Sequence, residues 1–156
     1  MNIYPLLTED TVLPQLKVND KEELLNRLID LFRDRVEESQ LESIRKAVFD
    51  REEIMSTGVG KGLAIPHGKA ADIDKSYASF ALLSEPVDYG SIDDKPVNLV
   101  FLLVGPETKN SMHIKLLSRI SRLMNSASFR KKLEESQTAE EILQCFEEEE
   151  RQFFKT

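Results

Sequence analysis

Apolar residues recur along this chain with two different periods, and the switching between them outlines its elements. Leu24, Leu28, Leu31, Phe32 and Val36 fall at helical spacings and predict an amphipathic helix over roughly 21–37. Asp20-x-x-Glu23 precedes them as a capping box. Ser39-x-x-Glu42 marks a second start, and Leu41, Ile44 and Val48 carry the stripe to Glu52 or Glu53. A glycine-rich loop follows at 56–62, then a short apolar piece, Leu63–Ile65, stopped by Pro66. The run SYASFALLS at 76–84 reads as a strand, and 85–96 is rich in turn formers. VNLVFLLV at 97–104 is apolar at nearly every position, as expected of a central strand covered on both faces, and Gly105-Pro106 ends it. From about Thr108 to Asn125, His113, Leu117, Ile120 and Met124 share one helical face, widened by Leu116 and Leu123. A shorter helix is expected at 127–134. Thr138-x-x-Glu141 opens the last one, with Ile142, Leu143 and Phe146 on its apolar side. Strands interleaved with helices predict an α/β fold with a buried sheet between helical layers. The pattern leaves the strand order open.

Composition narrows the class. A length of 156 residues with 40% apolar residues suits one folded domain spanning 1–156 and excludes wholesale disorder. The longest apolar runs, near 78–83 and 99–104, are far too short to cross a bilayer, so no direct membrane insertion is expected. The start, MNIYPLLTED, lacks the basic and apolar regions of a secretory signal, and a cytoplasmic protein is expected. A single cysteine, Cys145, excludes an internal disulfide framework and a Cys-based zinc site.

The net charge of −7 is unevenly placed. Eight glutamates and no Lys or Arg lie within 134–150, so a final helix at about 138–150 is glutamate-rich. The default reading of such a run is a solvated face, and with no basic stripe elsewhere nucleic acid is not an expected partner. Glycine is clustered as well. Four of six glycines, Gly58, Gly60, Gly62 and Gly68, fall within eleven residues, beside His67, one of only two histidines.

Several chemistries compete for that stretch. Gly58-x-Gly60-x-Gly62 fits neither GxGxxG nor GxxxxGK[ST], and it leads into a strand instead of a helix N-terminus, although a glycine-rich backbone can still form an anion-binding nest. His67 and His113 are 46 residues apart without metal-ligand spacing, and nothing demands Asp72 or Asp74 as further ligands. Ser56, His67 and Asp72 have hydrolase types but lack a nucleophile elbow. The fourth reading is a nucleophilic histidine. Imidazole is near-neutral at cellular pH and can take a phosphoryl group as a covalent intermediate. Pro66 stiffens the chain before His67, Gly68 leaves space after it, and Arg51 offers a planar fork suited to phosphate. The plain alternatives are a packing histidine at His113, a helix-end charge at Arg51 and an ordinary turn at the glycines.

STGVGKGLAIPHG at 56–68, with Arg51 upstream and GPETKNSMH at 105–113 downstream, resembles the fructose/mannitol-type enzyme IIA domain of the bacterial phosphotransferase system. The likeness runs from LLTEDTV at 6–12 to the last helix, and its form is most similar to the nitrogen-regulatory branch. The resemblance implies a three-layer fold with a mixed β-sheet flanked by helices on both faces. It implies that His67 accepts the phosphoryl group from an HPr-type phosphocarrier, on Nε2. It further implies that His113 gives hydrogen-bonding support and that Arg51 clamps the phosphoryl oxygens. Ser56, Thr57, Gly58, Gly60, Gly62 and Gly68 would form a phosphoryl-binding loop. No cofactor and no metal are required. Some sugar-transport members carry an acidic residue where this chain has Lys61, and no membrane or cysteine-bearing acceptor module is present in the 156 residues. Both points favour a regulator that acts on a target protein over a transport component serving a separate enzyme IIB. A non-phosphorylated anion-binding or interaction module is the third reading.

Overall fold

The computed structural model describes residues 2–154. Among these, a six-stranded mixed sheet is built from β1 (Val12–Leu16), β2 (Gly58–Gly60), β3 (Leu63–Ala64), β4 (His67–Ala70), β5 (Tyr77–Val87) and β6 (Val97–Pro106). The order is β1-β5-β6-β3-β2, with β4 also on β6. β5 and β6 are antiparallel, whereas β1 runs parallel to β5 and both β3 and β4 run parallel to β6.

The strip that carries His67 lies along one edge of β6. β3 and β4 sit there end to end, with Leu63 and Ala64 opposite Leu99 and Val100, and His67 to Ala70 opposite Leu103 to Pro106. The break between them falls at Ile65-Pro66. Proline has no N–H for the ladder, but the Pro66 carbonyl still accepts from the Leu103 amide at 3.1 Å.

The two faces of the sheet carry different helices. α1 (Lys21–Asp30) and α2 (Glu38–Ile54) cover one face, where Leu28, Ile44 and Val48 pack on Ala81, Val100 and Val104. α3 (Asn110–Met124), α4 (Ala127–Glu134) and α5 (Ala139–Phe153) cover the other. There Ile120, Phe129 and Phe146 pack on Phe80 and Phe101. Along β6, Phe101 and Leu103 belong to one core while Val100, Leu102 and Val104 belong to the other. Burial on both sides explains its unbroken apolar run. The expected mixed sheet with helices on both faces is thus the observed one.

Several expectations shift in detail. The first helix ends at Asp30, not near residue 37. Tight turns continue the chain through Arg35, and Phe32 stays fully buried while Leu31 and Val36 pack against the same core. The apolar spacing therefore outlasts the helix. The second helix is capped two residues before the expected Ser39, because Glu37 and Gln40 form the capping box. The strand expected at 76–84 extends to Val87, and the central strand extends to Pro106. Three strands, β1, β2 and β4, are not among the expected ones, and β2 lies inside the stretch 56–62 expected to be a loop. β1 contains Pro14 and lies at a sheet edge, where the lost amide is tolerated.

The glutamate-rich helix is not wholly a solvated face. Glu150 is 2% exposed, pairs with Arg119 at 2.6 Å, and accepts from the backbone amides of Ile3 and Tyr4. Among the described residues, no helix is long and apolar enough to cross a membrane.

Candidate active site

His67 opens β4 and is held there by backbone packing. A Cβ on Gly68 would lie 3.0 Å from the backbone of Ala47 and Val48, so glycine is what lets β4 press directly onto α2. Gly68 does not have a positive φ. Its role is this close approach, and it is not the unusual backbone angle that the sequence allowed. Arg51 lies one turn beyond Val48 in the last turn of α2, so the same contact brings its charge towards His67.

The His67 ring is half-buried, with Nδ1 2.9 Å from the Ile65 carbonyl. A carbonyl only accepts, so Nδ1 must carry the proton and Nε2 keeps its lone pair. Burial pushes the His67 pKa below the ordinary histidine value, and Arg51 and Lys69 add to that direction. The Ile65 carbonyl and the Glu52 charge oppose it.

His113 sits in the first turn of α3, 3% exposed, with its ring centroid 6.0 Å from that of His67. Neither ring nitrogen has a hydrogen-bond partner among the described residues. Burial, reinforced by His67 and Lys69, lowers its pKa to about 4, so it is neutral at pH 7. A neutral imidazole still offers one N–H donor and one acceptor. Buried polar atoms without a protein partner are uncommon, and such nitrogens are free to bond a water or a ligand group. Gly105 makes the position possible, because a Cβ there would stand 2.9 Å from His113 Nδ1.

Arg51 donates from Nη1 to the Met55 carbonyl at 2.8 Å. It is therefore a helix-end partner as well as a neighbour of His67, and its other nitrogens remain available to an anion.

The remaining expected residues divide. Ser56 accepts from the Gly58 amide at 3.1 Å and reaches the Tyr89 carbonyl at 3.4 Å, so its hydroxyl shapes the loop. Thr57 is buried against Glu52, which accepts from both its amide and its hydroxyl. Gly58 packs on Ser91, where a Cβ would meet Oγ at 2.3 Å. Gly60 and Gly62 have φ of 98° and 78° and flank the left-handed Lys61. Lys61 Nζ lies 3.2 Å from Asn125 Oδ1, just past the C-terminal end of α3. His113 is at the other end of that helix, roughly 18 Å away at 1.5 Å per residue. The structure does not bring this turn to the histidine pair.

One group escaped the sequence reading. Glu52, 8% exposed, collects Lys21 Nζ at 2.8 Å, both donors of Thr57 and the Tyr89 hydroxyl at 3.2 Å. Burial and the Glu52 charge together hold the Tyr89 phenol protonated. The network ties α1, the end of α2 and the loop before β2 into one support beneath Arg51. Its parts are scattered over the sequence, and no motif joins them. Among the described residues, no three His, Cys, Asp or Glu side chains gather as a metal-binding group.

The fold is thus an α/β protein with a mixed sheet between helical layers, and at one end of the sheet it places two imidazoles 6.0 Å apart within reach of an arginine charge. The chain belongs to the phosphoenolpyruvate-dependent sugar phosphotransferase system EIIA 2 family, whose model matches residues 5–149. It is 38% identical over 142 residues to a nitrogen regulatory protein of Bradyrhizobium diazoefficiens, covering 91% of this chain and 92% of that one. It is 32% identical over 143 residues to the fructose-specific EIIABC component of Bacillus subtilis, covering 92% of this chain but 22% of that longer protein. The crystal structure of nitrogen regulatory protein IIA-Ntr from Neisseria meningitidis superposes with a TM-score of 0.84 at 29% identity, covering 92% of this chain and 97% of that one.

Proposed function

We propose that this protein carries a phosphoryl group on His67 Nε2, taken from an HPr-type phosphocarrier in the cytoplasm. The observation that carries the reading is the histidine pair. One imidazole has Nδ1 committed to the Ile65 carbonyl, leaving a lone pair on Nε2, and the other is buried with both nitrogens uncommitted. In the transfer, the N–P bond of the donor phosphohistidine breaks as the Nε2–P bond forms. The exchange joins two similar nitrogen nucleophiles, so the protein contributes positioning and charge stabilisation. His113 donates to one phosphoryl oxygen, and the free edge of Arg51 holds another. Exposed apolar side chains beside the pair suit a transient docking surface: Ile54 and Met55 follow Arg51, and Met112 precedes His113, at 80%, 64% and 43% exposure.

The downstream role we favour is regulation of a target protein in the nitrogen-type system. The relatives at similar length that are named nitrogen regulatory proteins support it, as does Lys61 in the loop. Phosphorylation adds roughly two negative charges at the docking surface, enough to change which partner binds. The fructose-specific relative supports the second reading, transfer to a separate enzyme IIB.

Incubation with phosphoenolpyruvate, enzyme I and HPr is expected to give an acid-labile, base-stable phosphate that His67→Ala removes. Absence of label, or label insensitive to that substitution, overturns the carrier reading. Pull-downs with His67→Asp and His67→Ala then separate the roles: recovery of an enzyme IIB alone favours transport.

A further inference from the structure

Phosphoryl transfer uses one end of the β6 edge, and the other end holds a second concavity. A cavity of about 450 Å³ opens where the β2–β3 turn meets the C-terminal end of α3 and the first turn of α4. Leu63, Ile65 and Met124 form its floor and are 4%, 6% and 0% exposed. Lys61, Arg122 and Arg130 stand around it, and no acidic residue lines it. Among the described residues, none of the three cations forms an ion pair. Lys61 Nζ contacts only the neutral amide of Asn125, and Arg130 Nη1 donates to the Met124 carbonyl at 2.8 Å. The Arg122 guanidinium lies 5.2 Å from the Phe154 ring. The neighbouring carboxylate, Asp93, is occupied elsewhere: it accepts from the backbone amides of Lys61 and Lys95 at 3.0 and 3.1 Å. Those bonds hold the turn in place, with Gly60, Lys61 and Gly62 all at positive φ.

Three positively charged side chains thus surround an apolar recess on a fixed turn. Such a combination suits an organic anion whose charged end meets the rim and whose body is sheltered by the floor. Guanidinium forks favour phosphate geometry, and their planes also stack on flat rings. The volume falls within the roughly 300–1,000 Å³ typical of small-molecule sites.

We propose that this cavity binds a phosphorylated small molecule with a flat apolar body, of the size of a nucleoside monophosphate. Only Asn125 and Ser121 offer neutral polar side chains in the lining, so the site recognises the phosphate and the flat body in preference to a particular base. The ligand has a route to the histidines. Ile65 places its side chain in the cavity floor while its carbonyl fixes the tautomer of His67, so one residue touches both sites.

The test needs no phosphotransferase partner, so it can fail while the carrier reading stands, and the reverse. Uniformly ¹⁵N-labelled full-length protein is titrated with AMP, adenosine, inorganic phosphate and 4-nitrophenyl phosphate, following amide shifts. AMP and 4-nitrophenyl phosphate are expected to move Gly60, Gly62 and Asn125 and to bind at least about tenfold tighter than adenosine or inorganic phosphate. Lys61→Gln and Arg122→Gln should each weaken AMP binding about tenfold, while Lys17→Gln, at a distant exposed ion pair, leaves it unchanged. Arg122 is exposed, so its replacement keeps the test open if Lys61→Gln disturbs the turn. Adenosine binding as tightly as AMP, shifts centred on Gly68 and His113, or no saturation by about 5 mM AMP overturns the proposal. So do shifts in the turn that appear only with added HPr, which would make the groove a protein-docking surface.

Discussion

The two ends of the β3–β4 strip use positive charge for opposite purposes. At the His67 end, Arg51 and Lys69 stand near two partly or fully buried imidazoles and help to hold them unprotonated. Cations there favour the neutral imidazole, which keeps a ring lone pair free. At the Lys61 end the charges are Lys61, Arg122 and Arg130, no titratable nucleophile accompanies them, and the surface is open. Cations there can only attract. Burial decides the difference. Desolvation acts on a group that can lose its proton, and it does little to an exposed guanidinium that cannot. On the roles we propose, the same sign of charge supports a covalent step at one end and reversible binding at the other.

The sharpest way to break this contrast is His67→Ala, which is expected to abolish phosphoryl labelling while leaving the fold intact by circular dichroism. Next is Gly105→Ala. Its Cβ would stand 2.9 Å from His113 Nδ1, so the ring must move. Transfer should slow by roughly 10²–10³, the usual cost of losing one preorganised donor. Overpacking should also cost about 1–3 kcal/mol in urea unfolding. Transfer at the wild-type rate would remove His113 from the site. The third test is pH. With a folded pKa of about 4 for His113, below the unfolded value, the unfolded chain binds more protons in between. That stability is fully present above about pH 6.5 and is lost as pH falls towards 4, by roughly 2–3 kcal/mol. Between pH 7 and 4.5 the unfolding free energy of wild type should fall by most of this amount more than that of His113→Leu; parallel curves would show that His113 is not held neutral. The smallest effect sharpens the other end. Raising salt from about 50 to 500 mM should weaken AMP binding several-fold, because exposed charges are screened. The His113-dependent part of the pH curve should move by less than about 0.3 pH units.

Legibility followed how local each signal was. β6 and the apolar stripes of α3 and α5 were readable because their periods sit in consecutive residues. IPHG marked His67 for the same reason. β4 was not readable: HGKA has no strand pattern of its own, and its pairing with Leu103 to Pro106 makes it a strand. The glycines show the limit best. Their clustering suggested one shared loop, yet Gly68 serves a helix contact and Gly58 a loop contact. Gly60 and Gly62 serve a turn far along α3 from His113. Gly105, outside the cluster, is the one against the second imidazole. Only the tertiary path of the chain distinguishes them. The Glu52 network was hidden likewise, since Lys21, Thr57 and Tyr89 meet only after folding.

Glu150 has a kinetic consequence. Its carboxylate bonds the amide of Ile3 across a separation of 147 residues. Contacts that close so long a loop carry the largest ordering cost and are rewarded only once the intervening chain is in place. This clasp should therefore form after the sheet and its two cores have condensed. It then joins the turn at Ile3 and Tyr4 to α5 and Arg119, so these segments are expected to open together. In hydrogen exchange, the amides of Ile3 and Tyr4 and the last turn of α5 are expected to report one shared opening event.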